Sequence, residues 1–358
     1  MNIVYLLSHD QNRNLGITRK VMSQVDAWKE MGHTVRIFNL IVTESQSKTN
    51  ILNAEIFLRK SIFIGNKELL KALELLRPDI IYLRFEPFKP FLYTILKKYK
   101  TVLEINTDDL QEQLLHAKNS LVWKLRYWFN KATRSLMLSN CSGMVTVTEE
   151  LSRIPNFSRY KKPMLAVPNS IVLSKFSTLK KRNNLKIPQV YFMGNFNRKW
   201  HGVDKIIRLA SMCKDQLYFH IVGGACEVDN IPPNVTMYGY LDKDDYTKII
   251  EKCDVGIGSL SFHTIPLWEA CPLKVREYLA YGLPIIIGYT DTAFLRNKPD
   301  WILEIPNTEN NVEEYRNEIV EFCIRMKDVV IPIKEVKPFV DSNIIEKEKI
   351  HFFEKVAY

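Results

Sequence analysis

Two glutamates, Glu269 and Glu277, are the residues of this chain whose type and spacing best suit a binding or catalytic site. They lie eight positions apart in the run Glu269-Ala-Cys-Pro-Leu-Lys-Val-Arg-Glu277. An α-helix turns once in about 3.6 residues, so side chains at this spacing lie near one face. Pro272 suits the first turn of a helix, where a missing N–H removes no hydrogen bond. The run predicts a loop carboxylate, a helix start near Pro272 and a second carboxylate inside the helix.

The predicted start of this helix is also a site for an anion. The backbone N–H groups of Leu273 and Lys274 would lie at the helix N-terminus, which attracts phosphate. Gly282 is predicted to end the helix, and residues 284–287 to form the next buried strand. Two glutamates at this spacing alone are typical of an amphipathic surface helix. The surrounding order of strand, loop, helix, glycine and strand favours a binding site instead.

Composition and length limit the class of protein. The 358 residues are 46% hydrophobic and 25% charged, which is ordinary for a globular chain of two domains. The six cysteines show no C-x-x-C pair and are typical of buried thiols in a reducing compartment. The start of the chain has no basic segment typical of a secretory signal, and no uncharged run is long enough to span a membrane. We therefore expect a cytoplasmic protein, and no residue spacing indicates a metal site.

Charge is distributed unevenly along the chain. Residues 1–170 contain 25 Lys and Arg against 15 Asp and Glu, so they account for the whole formal net charge of +10. This asymmetry indicates that the first half meets an anionic surface, such as phospholipid or a lipid-phosphate acceptor. Nucleic acid would fit the charge, but no recognition motif for it is present. A charge that serves only solubility is the alternative.

Residues 118–134 interleave aromatic and basic side chains. Trp123, Trp128 and Phe129 alternate there with Lys124 and Arg126, a pattern typical of a helix lying in a membrane interface. The alternative is a long amphipathic helix that packs its aromatic side chains into the core of the first domain.

Strand-like and helical patterns alternate throughout the chain, which predicts parallel sheets covered by helices. Each half would form a doubly wound domain that binds ligands at the carboxyl ends of its strands, so two such domains facing each other would form a cleft. The polar stretch at 180–188 is predicted to link them. The predicted strands are 3–7, 34–41, 80–83, 102–105, 143–147 and 164–167, then 189–193, 218–222, 235–238, 255–259 and 284–287. The predicted helices are 18–31, 67–76, 91–99 and 120–139, then 203–213, 246–253, 273–281, 312–327 and 342–356.

Several further segments match one known family. They include the first strand, Met1-Asn-Ile-Val-Tyr-Leu-Leu, the glycine segment Gly16-Ile-Thr-Arg, and Val167-Pro-Asn-Ser-Ile. Tyr191-Phe-Met-Gly-Asn and Trp200-His-Gly-Val-Asp204 fit as well. With the paired glutamates, these segments make the chain resemble glycosyltransferase family 4, whose members are retaining enzymes of the GT-B fold.

The resemblance implies a domain organisation and an activity. Residues 1–172 would bind the acceptor, residues 185–340 the nucleotide-sugar donor, and residues 341–358 would form a helix that returns to the first domain. The activity would be a hexosyltransferase-type reaction (EC 2.4) that needs neither metal nor cofactor. Its setting would be cell-surface polysaccharide or lipid-linked glycan synthesis, on the inner face of the cell membrane where the basic half contacts lipid.

The resemblance also assigns roles on the donor side. Glu277 would bind the ribose diol and Glu269 the transferred sugar. Family members usually have an Arg and a Lys where this chain has Asn195 and His201, so the neighbouring cations would act on the leaving diphosphate. The residues with catalytic roles are Glu269, Arg198 and Lys199, and those that bind donor are Glu277, Leu273, Lys274, Gly16, Ile17, Gly194, Gly223 and Tyr238.

On the acceptor side, polar residues follow two strands of the first domain. His9 follows the first strand, and Asn106 and Asp108 follow the strand at 102–105, so all three could contact the acceptor. The alternative for the second pair is a polar loop that caps the next helix.

Two other classes of function remain open at this point. A GT-B sugar-nucleotide enzyme such as an epimerase would convert donor with no acceptor. A non-catalytic scaffold on the same fold would bind no nucleotide, and the absence of the usual Arg and Lys leaves this alternative open.

Overall fold

The computed structural model describes residues 1–11, 15–42, 50–58, 66–118, 120–178, 185–224, 230–265 and 267–358. These residues form two compact units. Unit 1 comprises Met1–Ser170 and Ser342–Tyr358, and unit 2 comprises Ile171–Asp341. Most of the predicted linker lies outside the described residues, since residues 179–184 are among those not described.

The described part of unit 1 contains one sheet of seven strands in the order β3-β2-β1-β4-β5-β6-β7, and every neighbouring pair is parallel. Its central strands are buried on both faces, which explains their nearly unbroken apolar sequences. The strands are β1 Asn2–Leu7, β2 Thr34–Ile41, β3 Glu55–Leu58, β4 Ile80–Arg84, β5 Thr101–Ile105, β6 Gly143–Thr146 and β7 Met164–Ala166. The helices are α1 Leu15–Glu30, α2 Lys67–Leu76, α3 Pro90–Lys98, α4 Asp109–Ala117, α5 Leu121–Leu138, α6 Glu149–Arg153 and α7 Pro155–Ser158.

Unit 2 repeats this plan with a six-stranded parallel sheet in the order β10-β9-β8-β11-β13-β15 and a separate pair, β12 and β14, within its described residues. The strands are β8 Gln189–Gly194, β9 Tyr218–Gly223, β10 Val235–Met237, β11 Val255–Ile257, β12 Glu269–Ala270, β13 Ile285–Ile287, β14 Thr290–Asp291 and β15 Ile302–Glu304. The helices are α8 Val203–Met212, α9 Lys243–Ile250, α10 Leu273–Ala280, α11 Asn311–Glu314, α12 Arg316–Arg325 and α13 Ile333–Val340.

The last helix, α14 (Ser342–Ala357), belongs to unit 1 and packs on α1. The indole ring of Trp28 meets the Phe353 ring edge-on at 5.4 Å, and its N–H donates to the buried Glu346 carboxylate at 3.0 Å. In the part of the chain that the structure describes, no helix combines the length and apolar character needed to cross a bilayer.

The predicted doubly wound sheets are confirmed, but several details of the prediction were wrong. The prediction omitted β3 and β15, which are only four and three residues long and carry little periodic signal. The single helix predicted at 312–327 is two helices, α11 and α12. Its first turn is fixed separately because the buried Asn311 amide donates to the carbonyl groups of Leu260 and Pro306.

Candidate active site

Glu269 lies in a short strand, and not in the loop that the sequence predicted. It opens β12, pairs with Thr290 of β14 and is half-buried. The reason is a buried ion pair that the sequence analysis missed. Arg276 of α10 binds the Asp291 carboxylate, both side chains have no exposed surface, and the same guanidinium donates to the Cys271 sulfur at 2.7 Å. Arg276 therefore connects α10 to both strands of the pair and fixes where Glu269 lies.

Helix α10 begins where the sequence predicted. Pro272 is its N-cap residue, so the N–H groups of Leu273 and Lys274 open the helix. The first N–H groups of an α-helix have no partner inside the helix, and the helix dipole adds partial positive charge there. This end of α10 can accept an anion.

Lys274 places an ionisable amine, positively charged when protonated, beside this helix end. Its Nζ atom is buried, lies 4.2 Å from the centre of the Phe192 ring, and has no hydrogen-bond partner among the described residues. Burial lowers the pKa of the Lys274 ammonium to about 7. An ammonium that is removed from water without a carboxylate partner is costly to the folded state, so its presence here needs a functional reason.

His201 packs on the other part of the same aromatic ring. The imidazole lies 6.1 Å from the Phe192 ring, and a Cβ on Gly194 would approach its Nδ1 atom to 2.7 Å. Burial and the positive charges of Lys274 and Arg198 lower the pKa of His201 to about 3. The imidazole is therefore neutral at physiological pH, and Lys274 is the buried cation of this group.

Glu277 lies inside the second turn of α10 and is only 7% exposed. The hydroxyl group of Tyr246 in α9 donates to its carboxylate at 3.5 Å. The next residue, Tyr278, accepts a hydrogen bond from the backbone N–H of Met193 at 2.8 Å, which fixes α10 against the end of β8. Glu277 is therefore held close to the carboxyl edge of the sheet.

The ends of β8 and β9 come into close contact beside this helix. Gly223 adopts φ +147°, and a Cβ there would lie 1.9 Å from the carbonyl oxygen of Gly194, so the position requires glycine. Tyr238 follows β10 and its hydroxyl group hydrogen-bonds the His220 imidazole at 2.8 Å. The two rings are stacked with centres 5.9 Å apart.

Arg198 and Lys199 lie in the segment after β8 and are exposed. The guanidinium of Arg198 stacks on the Trp200 ring at 5.1 Å. Neither residue is buried with the group formed by Phe192, His201 and Lys274, so their assigned roles on the diphosphate stay predictions.

The predicted glycine segment of unit 1 is not a loop, because α1 already begins at Leu15. Gly16 and Ile17 lie in its first turn. A Cβ on Gly16 would meet no atom within 4 Å, so crowding does not require glycine there. The sequence prediction of a helix start at Thr18 was therefore late by one turn, and the roles of Gly16 and Ile17 in donor binding stay predictions.

The three residues predicted to bind acceptor differ in their surroundings. His9 is buried, with its Nε2 atom 2.9 Å from the Thr18 hydroxyl, and Asp108 caps α4 by accepting from the N–H groups of Leu110 and Gln111. Asn106 instead lines a cavity of about 620 Å³ within unit 1. The capping alternative therefore describes Asp108, and Asn106 is the residue of the three that a ligand in this cavity could reach.

A buried ionic network forms one wall of this cavity. The Glu104 carboxylate lies 2.8 Å from the Lys20 ammonium and 3.2 Å from the Arg84 guanidinium, and it accepts from the Tyr5 hydroxyl at 2.8 Å. Although burial disfavours its charged form, the two cations hold the pKa of Glu104 well below its usual range. One buried carboxylate thus joins both cations, which makes this network a structural support of the wall. The sequence analysis assigned no ionic partner to Glu104.

A large part of unit 2 is similar to a known protein family. Residues 187–321 match the family model described as Glycosyl transferases group 1. No protein of curated function matches the chain in sequence.

Solved structures show the same fold over nearly the whole chain. A glycosyltransferase from Rickettsia africae has a TM-score of 0.68 at 13% identity, with 99% of this chain and 98% of that chain covered. HepE from Anabaena in complex with UDP has a TM-score of 0.63 at 11% identity, covering 99% and 100%. The lipopolysaccharide outer core galactosyltransferase WaaB has a TM-score of 0.63 at 10% identity, covering 99% and 100%. These likenesses confirm the predicted fold class, that of GT-B glycosyltransferases.

Proposed function

We propose that this protein is a retaining glycosyltransferase that moves a sugar from a nucleotide-sugar donor to a hydroxyl group of an acceptor. The observation that carries the proposal is the start of α10, where a buried ammonium without a partner among the described residues accompanies a helix N-terminus. Both features attract a diphosphate. The match of residues 187–321 to a glycosyltransferase family model and the UDP bound to HepE support the same function.

In the proposed complex, unit 2 binds the donor through three features. The N–H groups of Leu273 and Lys274 and the Lys274 ammonium bind the diphosphate. The Glu277 carboxylate accepts hydrogen bonds from the two ribose hydroxyl groups, and Glu269 accepts from a hydroxyl of the sugar. The close contact at Gly223 leaves backbone, and no side chain, where the ligand approaches the end of β9.

Lys274 is proposed to replace the Arg and Lys that the resembled family has at the positions of Asn195 and His201. As the bond between sugar and phosphate breaks, negative charge develops on the leaving diphosphate and needs a positive group placed in advance. Asn195 and the neutral His201 cannot supply it. Lys274, Arg198 and Lys199 are the cations in this part of unit 2 that can.

The finer features of the reaction are also proposals. Retention would follow from a front-face path in which the leaving phosphate accepts the proton of the acceptor hydroxyl, with no metal or cofactor required. Transfer of a hexose to a cell-surface polysaccharide or lipid-linked glycan is in keeping with the name of the WaaB relative. Unit 1, with its excess of positive charge, would bind the acceptor and contact anionic membrane.

The direct test is a screen of UDP-, GDP-, ADP- and CMP-sugars for protection against thermal unfolding. We expect the UDP-sugars, whose nucleotide HepE binds, to raise the melting temperature, because a ligand that binds only the folded state stabilises it. Glu277→Gln should reduce this protection, and Glu251→Gln, an exposed change outside α10, should keep it in full. Protection by no nucleotide, or full protection in Glu277→Gln, would contradict the proposed donor site.

A further inference from the structure

The cavity of unit 1 has walls suited to an amphiphilic ligand. It lies where β4 and β5 end, between the segment that follows β4 and the helices α4 and α5, and has a volume of about 620 Å³. Aromatic rings, cations and carboxylates line it together. The aromatic and basic side chains that line it include Phe85, Phe88, Trp123, Phe129, Lys89 and Arg126.

Three carboxylates of this cavity, Glu86, Glu104 and Asp109, form ion pairs with Lys89, Arg84 and Arg134. The Arg126 cation is instead arranged against an aromatic ring. The Arg126 guanidinium lies 5.0 Å from the Trp123 ring, and the His116 ring packs on the same indole at 4.8 Å. Aromatic faces bind the apolar face of a sugar ring or an acyl chain, and a guanidinium binds phosphate. The wall that Trp123 and Arg126 form can therefore hold a polar head that carries sugar and phosphate.

Helix α5 contributes to this wall and also presents an apolar face to solvent. Leu121, Leu125 and Trp128 are 72%, 64% and 61% exposed, and Phe129, which lines the cavity, is 42% exposed. Their spacing of three and four residues places them along one side of the helix. The alternative in which the aromatic side chains of this segment pack into the core does not describe Trp128 or Phe129.

The charge of α5 indicates what covers this face. The helix contains no acidic residue, and its exposed cations Lys124, Arg126 and Lys131 flank the apolar side chains. Lys131 lies 4.9 Å from the Trp128 ring. Basic residues beside exposed Leu and Trp are the pattern of a helix that lies in the interface of an anionic bilayer. The excess positive charge of residues 1–170 acts in the same direction.

We propose that α5 (Leu121–Leu138) lies in the surface of an anionic membrane and that the cavity beside it binds the phosphate-bearing head of a lipid-anchored acceptor. Phe129 and Arg126 belong to both surfaces, so a lipid head can enter the cavity while its chain stays in the bilayer. The proposal rests on the proposed transferase function, because it names the class of molecule that would receive the sugar.

The first test is sedimentation with vesicles of phosphatidylglycerol and phosphatidylcholine. We expect wild-type protein to bind them, to bind pure phosphatidylcholine more weakly, and to lose binding as salt rises. The double variant Leu125→Ser, Trp128→Ser should bind about tenfold more weakly or worse, since two apolar anchors are removed. The matched control is Leu75→Ser, which removes a 78% exposed leucine of α2 and should bind like wild type.

The second test addresses the cavity with a soluble probe. Dihexanoylphosphatidylglycerol below its micelle concentration should bind wild-type protein, and Arg126→Gln should weaken the affinity by about fivefold, the effect of one cation near an anionic lipid. Arg153→Gln, a change at an exposed arginine of α6, should have no effect. Equal affinity in Arg126→Gln, or equal vesicle binding in the α5 double variant, would overturn the proposal, as would vesicle binding independent of lipid charge.

Protection by nucleotide-sugar separates this inference from the proposed function. The α5 variants change no residue of unit 2, so they should keep both their melting temperature and their protection by UDP-sugar. Loss of lipid binding in wild type with protection intact would overturn only the membrane proposal. Absence of protection in wild type would instead overturn the transferase proposal.

Discussion

Lys20 of unit 1 and Lys274 of unit 2 both have a buried ammonium nitrogen, but the surroundings of the two groups are opposite. In unit 1 the Lys20 ammonium lies 2.8 Å from the Glu104 carboxylate and donates to the Asn106 amide oxygen at 2.5 Å. In unit 2 the Lys274 ammonium faces only the Phe192 ring, with no hydrogen-bond partner among the described residues. Burial lowers the pKa of both, to about 8 for Lys20 and about 7 for Lys274.

The difference separates a structural charge from one that is available to a ligand. A buried cation with a carboxylate partner forms part of a closed network, and removing the partner leaves a charge that nothing offsets. A buried cation without such a partner already has that disadvantage. A bound diphosphate would supply the negative charge that the surroundings of Lys274 lack, whereas Glu104 already supplies it to Lys20.

The largest expected effect is in the closed network. Glu104→Gln should lower the free energy of unfolding by about 3–5 kcal/mol, because Lys20 and Arg84 would stay buried without their carboxylate. Urea denaturation measures this change. The control is Glu55→Gln, which breaks an exposed pair with Arg36 and should cost less than about 1 kcal/mol. Similar losses in the two variants would contradict the distinction between closed and exposed pairs.

The second effect concerns Lys274, whose ammonium has no hydrogen-bond partner among the described residues, and it has two parts. Lys274→Met should weaken UDP binding by about 1.5–3 kcal/mol, the value of a hydrogen bond to a charged group. The same change should leave the free energy of unfolding at pH 7 equal or higher, since it removes a costly buried ammonium. Calorimetric titration and urea denaturation measure the two quantities. Lys248→Met, at an exposed lysine of α9, should alter neither. A clearly destabilised Lys274→Met would show that this lysine is structural.

The two glutamates of unit 2, Glu269 and Glu277, should affect different steps, one the turnover and the other the binding of UDP. Glu277→Gln should weaken UDP binding about tenfold, because one charged hydrogen bond to ribose is worth about 1.5 kcal/mol. Glu269→Gln should leave UDP affinity unchanged and lower kcat, because UDP lacks the sugar that this residue contacts. Binding and steady-state assays distinguish the two variants. If both transfer sugar at the wild-type rate, the assignment of the site is wrong.

The last effect, the smallest when it is measured over a single pH unit, is a pH dependence of stability in the free protein. The folded-state pKa of Lys274 is lowered to about 7, below the unfolded value, so above pH 7 the unfolded chain binds more protons. The free energy of unfolding should therefore rise with pH between about 7 and 10, by at most about 1.4 kcal/mol per pH unit. Lys274→Met should lack this rise, as measured by denaturation at a series of pH values. If the free energy of unfolding changes with pH equally in the two proteins, Lys274 is not the source of the pH dependence.

The sequence predicted local features of the site better than its long-range ones. The start of α10, its N-terminal residues and its carboxylate follow from Pro272, Gly282 and the spacing of the glutamates, which are all near one another in the chain. The ion pair between Arg276 and Asp291 joins residues fifteen positions apart. No periodic pattern reports such a contact, so the sequence predicts a loop where the structure has the strand that holds Glu269.

The cavity of unit 1 and the burial of Lys274 also depend on long-range packing that the sequence does not predict. The sequence analysis left α4 unpredicted, so the cavity between α4 and α5 could not be foreseen from the aromatic residues alone. Lys274 was one candidate among several cations. Its burial against Phe192 depends on the packing of α10 on β8, which brings together parts of the chain about eighty residues apart.

Proton uptake on nucleotide binding shows whether Lys274 holds the diphosphate of the donor. UDP is titrated into the protein at pH 8 in two buffers of different ionisation enthalpy, where the free Lys274 amine is mostly neutral. Wild-type protein should take up close to one proton for each UDP bound, because the diphosphate stabilises the charged lysine. Lys274→Met should bind more weakly and take up none. Equal affinity and equal proton uptake in the two proteins would contradict the claim that Lys274 holds the donor diphosphate.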